Sequence, residues 1–486
     1  MTRVLAAPLL LCLFVPPLPA RDARPQSLRE YVLKNQVRLA YGEYIKNTKV
    51  GWKTEEMKLG KHDGQEVAVV VSESYETTLY QGAKTVTQEK TTVCYSLEGE
   101  GAIVCADVYA KEDGKETTRK AVRKGDGLLL TVKTAKRQTE RTIATPKDTL
   151  ALKRRFDAWV VGPRKKGDTF TVWDAAWEED DVDVPQVYTF QEKKTVAWDG
   201  ARTEAYAVTI RSRGTRSTAL LRGDGNPLVL TTGIEEMRLE KEAVAKKVEP
   251  KALDLQEALS VRIDKELGQA SKVEKLVLKV EGAEAGSIPQ SHRQRLRAAK
   301  EGTTLELLRD HRLAKPAPLS KEERAQHLKA TATVQSDHEA IRSLARKIVQ
   351  DEKDPVRSSH LLQRWVFKNI KASYTDNADN ALAVLDNKAG DCTEYALLFV
   401  ALARARGIPA RQIGGLVYSN DSKPSFEWHA WAEIHDGSQW VSVDPAANQV
   451  WVDATHIKLS EGAQDLSWVN LVGKLKMKVV KFETKK

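Results

Sequence analysis

Five Asp-Gly dipeptides punctuate the first half of the chain, and they constrain its fold more than any other sequence feature. They are Asp63-Gly64, Asp113-Gly114, Asp126-Gly127, Asp199-Gly200 and Asp224-Gly225. Each lies between runs rich in Val, Ile, Thr and Tyr, and Asp-Gly in that context is a strong hairpin signal. The segment from about Val50 to Thr232 therefore predicts a long antiparallel meander, either one large curved sheet or an open barrel.

The rest of the chain has other patterns. We predict an antiparallel β domain over residues 30–235, a mixed connecting region and linker over 236–318, and an α+β domain over 335–475. Apolar residues recur at helical spacing in Asp337–Gln350 and Pro355–Ile370, which predicts two amphipathic helices. These apolar residues are Ile341, Leu344, Ala345, Ile348, Leu361, Leu362, Trp365 and Val366.

Composition and charge exclude several classes of protein. The 486-residue chain is 41% hydrophobic and 30% charged, which is typical of a soluble globular protein. Its net charge of +10 comes from dispersed lysine and arginine, a pattern typical of a solvated surface. No zinc-finger, helix-turn-helix or aromatic RNA-binding pattern is present, so nucleic acid is not an expected partner. The acidic cluster Glu178–Asp183 lacks the spacing of a calcium loop, and we expect no metal there.

The N-terminus has the features of a signal peptide over residues 1–20. Arg3 supplies a positive charge, Val4–Val15 is an apolar run, and Ala20 is a small residue at a cleavage point. The run of about a dozen residues is too short to span a bilayer, and no later segment qualifies. We expect a secreted or periplasmic protein with no integral membrane segment after signal removal.

The four cysteines fit an exported protein. Cys12 lies inside the signal, whereas a tight turn between Cys94 and Cys105 would place those two directly opposite each other. Opposed cysteines on antiparallel neighbours suit a disulfide, and an exporting compartment would oxidise them. Cys392 is left as a free thiol, which calls for a chemical role.

Cys392 begins a predicted helix. Asp391 is placed to be the N-cap and Glu394 the third residue of the first turn, which together make a capping box. The helix extends over Cys392–Arg406 and ends at Gly407. At its first position, unpaired backbone N–H groups and the positive end of the helix dipole stabilise a thiolate and could contribute to an oxyanion hole.

A β-hairpin after this helix supplies a histidine and a carboxylate. A two-residue turn at Asp436-Gly437 would place His429 directly opposite Asp444, with both side chains on one face. A loop two residues longer would make them diagonal neighbours on the same face, whereas a loop one residue longer would break the register. The other face is an apolar stripe that consists of Ala430, Ala432, Ile434, Val441 and Val443.

Cys392, His429 and Asp444 have the residue types of a catalytic triad. Asp444 would accept a hydrogen bond from one imidazole nitrogen, while the other nitrogen faces the thiol. We interpret His435 and His456 as ordinary surface or core histidines. The pattern predicts a cysteine-nucleophile enzyme of acyl chemistry, with no cofactor and no metal.

Four sequence blocks carry a resemblance to a known family. They are Gly390–Ala396, Leu402–Arg411, His429–Glu433 and Trp440–Pro445. In this order they resemble the core of the transglutaminase-like superfamily, of a bacterial exported type, over roughly residues 335–475. The resemblance implies a papain-like α+β fold in which Cys392 is the nucleophile, His429 the base and Asp444 the residue that orients it.

Three functions are compatible with this resemblance, because bacterial members include peptidases, amidases and cross-linking enzymes. The first is hydrolysis of amide bonds in proteins or peptides, including those of the cell envelope, through a thioester acyl-enzyme. The second is protein-glutamine transamidation, in which a lysine amine replaces water and forms an isopeptide bond. The third is a non-enzymatic envelope-binding module with a relic triad. Tyr374 and Trp365 are candidates for a second oxyanion donor, and Trp428 and Trp431 flank His429.

Overall fold

The computed structural model describes residues 27–80, 82–177, 182–249, 253–284, 286–299, 302–313, 315–374, 378, 380–421, 423–462 and 464–485. The chain divides between Asp254 and Leu255 into two compact units, which we call the N-terminal unit and the C-terminal unit. The predicted signal peptide, residues 1–20, and most of the acidic cluster, Glu178–Asp181, lie outside the described residues. None of the described helices is long and apolar enough to cross a membrane.

The N-terminal unit is built around one antiparallel sheet of 14 strands that does not close. The strands are β1 Arg38–Ile45, β2 Thr48–His62, β3 Gln65–Tyr80, β4 Ala83–Ser96, β5 Ile103–Glu112, β6 Lys115–Lys124, β7 Gly127–Thr134, β8 Gln138–Ala144, β9 Thr169–Ala175, β10 Asp183–Trp198, β11 Ala201–Ser212, β12 Thr215–Leu221, β13 Pro227–Thr232 and β14 Glu235–Glu240. Two meanders, β1 to β8 and β9 to β14, lie side by side and are joined through the pairing of β1 with β14. This confirms the predicted long antiparallel meander.

Three of the predicted turns are two-residue hairpin loops with positive φ at both residues. They are Asp63-Gly64, Asp113-Gly114 and Asp199-Gly200. Positive φ at both positions matches the twist of the strands that such a turn joins. The predicted turn at Asp126-Gly127 is displaced by one residue, because Gly125 has a φ of +61° and Gly127 already begins β7.

The core of the N-terminal unit lies on one face of the sheet, covered by helices α1 Leu28–Lys34 and α2 Leu150–Val161. Tyr31 on α1 and Phe156 on α2 are almost completely buried there. A short helix, α3 Glu242–Ala245, follows β14. Cys94 and Cys105 pair directly across β4 and β5 with 5.0 Å between their Cα atoms, and they form the predicted disulfide.

The C-terminal unit is α+β. Its helices are α4 Leu255–Leu259, α5 Lys321–Leu328, α6 Glu339–Val349, α7 Pro355–Asn369, α8 Ala381–Asn387 and α9 Cys392–Ala405. Its strands are β15 Val261–Arg262, β16 Val273–Glu281, β17 Gln294–Ala299, β18 Gly302–Leu308, β19 Lys371–Ala372, β20 Ala389–Gly390, β21 Ala410–Ser419, β22 Ser425–His435, β23 Trp440–Asp444, β24 Gln449–Val450, β25 Ile457–Glu461 and β26 Lys476–Thr484. The main sheet has the order β24-β23-β22-β21-β25 with β15 added to β22, and a second sheet has the order β17-β18-β16-β26. β19 and β20 form a separate parallel pair.

Helix α9 is the centre of this unit, with its residues from Glu394 to Ala403 buried. It packs against α6, α7 and the apolar face of β22 and β23. The two predicted amphipathic helices are confirmed as α6 and α7, with ends within two residues of the prediction. Leu361 is an exception to the predicted core because it is 39% exposed, whereas Trp365 is partly buried against the core as a packing residue.

Candidate active site

Cys392 occupies the first position of α9, as the sequence predicted. Its thiol is free and partly exposed. The N-cap Asp391 accepts the N–H of Thr393 at 2.7 Å, and the capping box with Glu394 is complete. The cap occupies the N–H groups of Thr393 and Glu394, so the N–H of Cys392 is the one in this first turn that the cap does not use.

The buried carboxyl group of Glu394 fixes two backbone segments that precede the cysteine. It accepts the N–H of Asp391 at 2.8 Å and the N–H of Ala378 at 3.2 Å. Burial and the nearby charge of Asp391 raise the pKa of Glu394 to about 8. Gly390 is needed beside it, since a Cβ there would lie 2.4 Å from the Cβ of Glu394.

The hairpin that carries His429 and Asp444 has a longer loop than the predicted two-residue turn. His435 at the end of β22 pairs with Trp440 at the start of β23, so the loop has four residues. The carboxylate of Asp436 stabilises this loop by accepting two of its backbone N–H groups, at 2.8 and 2.9 Å. The directly opposed register is therefore wrong, and the two residues are diagonal neighbours that keep a common face.

The structure brings the three predicted triad residues together. Nε2 of His429 lies 2.8 Å from Oδ2 of Asp444, and Cys392 lies close enough to His429 to contribute to its raised pKa. Because Nε2 is engaged by Asp444, Nδ1 is the nitrogen left for the thiol. The side chain of His429 is 15% exposed and that of Asp444 is fully buried, so this arrangement is largely shielded from water.

His429 and Asp444 shift each other's ionisation. Burial opposes a charge on His429, but the Asp444 carboxylate and the Cys392 side chain outweigh it and hold the pKa of His429 well above its ordinary value. Burial would likewise raise the pKa of Asp444, yet His429 holds it well below its ordinary value. The structure thus favours an imidazolium at His429 beside an ionised Asp444.

His456 is a site residue that the sequence interpretation missed. Its Nε2 lies 3.1 Å from Oδ2 of Asp444, the same oxygen that His429 contacts, and its Nδ1 lies 3.2 Å from Oδ1 of Asp453. The imidazole is almost completely buried. The only local signal was Asp453 three residues earlier. His435, by contrast, is a buried histidine whose Nε2 contacts the carbonyl oxygen of Ala317, as expected for a core residue.

Trp431 and Trp428 lie on opposite faces of β22. Trp431 shares the face of His429 and is fully buried, which agrees with a packing role. Its ring needs the glycine at position 415, because a Cβ on Gly415 would lie 2.7 Å from it. Trp428 instead packs against Trp468, with 3.8 Å between the ring centroids and the rings tilted by 31°.

The two candidates for a second oxyanion donor, Trp365 and Tyr374, have different surroundings. Trp365 packs against the core from α7. Tyr374 lies close enough to Tyr395 to raise the pKa of Tyr395, together with the larger effect of burial.

Among the residues that the structure describes, two groups of side chains have the composition of a metal site, but in each group members are bonded to one another. His62 lies beside Cys94 and Cys105, whose sulfurs are joined in the disulfide and offer no thiolate. The nitrogen and oxygen atoms of the other group lie within 4.8 Å of one another, and direct hydrogen bonds account for this closeness. That group consists of His429, Asp444 and His456.

Comparison with known families places this site in context. Residues 342–445 match the model of the transglutaminase-like superfamily, and the match contains Cys392, His429 and Asp444. This segment is a transglutaminase-like domain. The transglutaminase-like domain indicates a cysteine-type enzyme in general, without deciding between hydrolysis and transfer.

Individual relatives are distant. An uncharacterised protein of Haemophilus influenzae is 32% identical over 96 residues, which is 19% of this chain and 26% of that relative. The chain therefore spans about a quarter of the relative's length. A candidate cysteine protease of Cytophaga hutchinsonii has 15% identity and a TM-score of 0.30, covering 47% of this chain and 86% of its own. A candidate protease of Parabacteroides distasonis has 10% identity and a TM-score of 0.18, covering 71% and 69%.

Proposed function

We propose that this protein is an exported cysteine hydrolase that cleaves amide bonds of proteins or peptides through a thioester acyl-enzyme. One observation carries the proposal: Nε2 of His429 lies 2.8 Å from Oδ2 of Asp444, and Asp444 and Cys392 both raise the pKa of His429. A nucleophile, a base in contact with it and a carboxylate that orients the base are the parts that acyl transfer requires.

In the acylation step, the thiolate of Cys392 attacks the carbonyl carbon of the amide. The N–H of Cys392 donates a hydrogen bond to the oxyanion that forms, aided by the positive end of the α9 dipole. The imidazolium of His429 gives its Nδ1 proton to the departing amine nitrogen. The carbon–nitrogen bond then breaks, and the acyl group remains on sulfur as a thioester.

In the deacylation step, neutral His429 accepts a proton from a water molecule as that water attacks the thioester carbonyl. The carbon–sulfur bond breaks, the carboxylic acid product leaves, and the pair of Cys392 thiolate and His429 imidazolium is restored. Asp444 keeps Nε2 of His429 engaged throughout, so Nδ1 stays directed at the reacting atoms. A primary amine in place of the water would give transamidation by the same residues.

Export is part of the proposal. The Cys94–Cys105 disulfide supports it, since such bonds persist in oxidising compartments, and so do the signal-like residues 1–20. Expression of the full chain in a Gram-negative host, followed by N-terminal sequencing, tests it. A product outside the cytoplasm that begins near residue 21 is expected, and an intact N-terminus retained in the cytoplasm would contradict export.

The reaction is tested by peptide mass spectrometry on a mixed, glutamine-rich protein substrate with a primary-amine donor present. The purified mature protein is compared with Cys392→Ala. Cleaved or deamidated peptides without amine adducts, absent with Cys392→Ala, are the expected result. Glutamine–amine adducts that depend on Cys392 would instead establish the transamidase. Products that are identical with Cys392→Ala would favour a non-enzymatic module.

A further inference from the structure

We propose that His456 is a positively charged positioning residue, which Asp453 holds next to Asp444. The charge of His456 weakens the attraction of the Asp444 carboxylate for the proton on His429. Four side chains form one hydrogen-bonded line behind Cys392: His429, Asp444, His456 and Asp453. The proposal rests on the proposed function, because it concerns the proton that His429 transfers.

Both ring nitrogens of His456 face carboxylates. Nε2 lies 3.1 Å from Oδ2 of Asp444, and Nδ1 lies 3.2 Å from Oδ1 of Asp453. A neutral imidazole has one N–H and can satisfy one of these acceptors, whereas an imidazolium has two and satisfies both. The geometry therefore requires the charged ring. Burial opposes this charge, but Asp453 and Asp444 raise the pKa of His456.

Both carboxylates are placed to be ionised, because hydrogen-bond donors surround them. Oδ1 of Asp453 accepts the N–H and the hydroxyl of Thr455, at 2.9 and 2.6 Å, and its Oδ2 accepts the side-chain amide of Gln449 at 3.0 Å. Oδ1 of Asp444 accepts two backbone N–H groups, at 2.8 and 3.0 Å, while its Oδ2 faces the two imidazoles. These donors favour the ionised form of each carboxyl group over the neutral form.

The backbone around His456 is fixed from a different sheet. The guanidinium of Arg293, which is buried, donates to the carbonyl oxygens of Asp453 and His456 at 2.9 and 3.0 Å. The side chain of Gln294, the first residue of β17, bonds both the N–H and the carbonyl of Lys458, at 2.8 and 2.7 Å. The ring of His456 is thus held in place independently of substrate, as a positioning residue requires.

The charge on His456 affects His429 through electrostatic repulsion. The ring centroids of His429 and His456 lie 6.2 Å apart, with the Asp444 carboxylate between them. At an effective dielectric constant of about 20, two like charges at that distance shift a pKa by about two units. His456 therefore lowers the proton affinity that Asp444 confers on His429 and assists protonation of the leaving amine. The charged groups around His456 are Asp444, Asp453, His429 and Arg293, with the Glu433–Lys458 ion pair beyond them.

The test is the pH profile of kcat/KM for the Cys392-dependent reaction in wild type and His456→Gln. The glutamine amide can donate to Asp444 but carries no charge. We expect the alkaline limb to move to higher pH by about one to two units and kcat to fall about tenfold or more at pH 7, with KM little changed. The control is His435→Gln, a buried histidine on the same strand as His429 whose ring nitrogens contact backbone groups, and its profile should match wild type.

A second measurement does not depend on the variant folding. Long-range ¹H–¹⁵N spectra of ¹⁵N-histidine-labelled wild type report whether a ring has one or two N–H groups, and Asp453→Asn identifies the His456 signals by perturbing them most. We expect both nitrogens of His456 to be protonated at pH 8, and a neutral tautomer would overturn the inference. A folded His456→Gln with an unshifted alkaline limb would also overturn it while leaving the proposed function intact. Wild type without Cys392-dependent turnover would instead overturn the function.

Discussion

The carboxylate of Asp444 accepts the Nε2–H of His429 at 2.8 Å from a position with no exposure to solvent. Its other oxygen accepts the N–H groups of Ala446 and Ala447, at 2.8 and 3.0 Å. These bonds fix the carboxylate through the backbone immediately after β23. The imidazole is therefore oriented toward Cys392 before any substrate binds, which is how preorganised sites reduce the barrier of acyl transfer.

The variant Asp444→Asn tests this orientation. The asparagine side chain would keep an oxygen for the backbone N–H groups but would remove the charge that stabilises the imidazolium of His429. We expect kcat/KM to fall by about 10² to 10⁴ while the protein stays folded. The control is Asp436→Asn in the loop of the same hairpin, which should retain wild-type kcat/KM. Equal losses in both variants would indicate damage to the hairpin instead of loss of the charge.

The reactivity of Cys392 toward iodoacetamide reports the thiolate directly. The raised pKa of His429 keeps its imidazolium through neutrality, and a cation beside a cysteine favours the reactive thiolate. At pH 6 we expect native Cys392 to react about tenfold or more faster than the same residue in urea, and His429→Gln to lose this excess. Equal native and unfolded rates would contradict an activated nucleophile.

The parts of the site that could be predicted are those set by local chain geometry. The N-cap Asp391, the capping-box residue Glu394 and the position of Cys392 follow from residues next to one another in sequence. The shared face of His429 and Asp444 survived an error of two residues in the loop length, because strand side chains alternate with a period of two. The face of the sheet on which a side chain lies can therefore be predicted more reliably than its partner on the neighbouring strand.

The parts that could not be predicted depend on contacts between distant segments. His456 acquires its place from Arg293, which lies in a separate segment more than a hundred residues earlier in the chain. Leu361 has the spacing of a core residue, yet nothing covers its side of α7 among the described residues, and it is exposed. The pairing of β1 with β14 likewise joins segments that no local turn signal connects.

Glu394 makes the stability of the C-terminal unit depend on pH. Its carboxyl pKa is about 8 in the folded protein against an ordinary value of 4.5, so the folded state keeps a proton that the unfolded state loses between these values. Stability is therefore expected to fall as pH rises from about 4.5 to 8. Glu394→Gln, which keeps one acceptor oxygen but cannot ionise, should flatten this dependence when urea unfolding is measured at pH 5 and pH 8.

The matched variant is Glu394→Ala, which removes the acceptor of the N–H groups of Asp391 and Ala378. We expect it to destabilise the unit by about 1–3 kcal/mol at both pH values. If Glu394→Gln lost as much stability between pH 5 and pH 8 as wild type, Glu394 would not be the source of the dependence.

The N-terminal unit contains a second set of carboxyl groups with raised pKa. Glu43 and Glu76 both pair with Gly51 across neighbouring strands, so they lie in one row on the same face of the sheet. Burial raises the pKa of Glu76 to about 8, assisted by the charges of Glu43 and Glu112. Burial also raises the pKa of Glu43 to about 7. Both groups favour folding at low pH and oppose it once they must ionise.

Glu76→Gln should therefore raise the midpoint of thermal unfolding of the N-terminal unit by several degrees at pH 8 and change it little at pH 5. The control is Glu73→Gln on the same strand but the opposite face, where Lys90 contacts the carboxylate at 2.8 Å and lowers its pKa despite partial burial. Removal of the Glu73 charge is therefore not expected to raise the midpoint of thermal unfolding at pH 8. A lower midpoint for Glu76→Gln at pH 8 would show that the ionised carboxylate stabilises the row, because the neutral amide would then be the less favourable occupant.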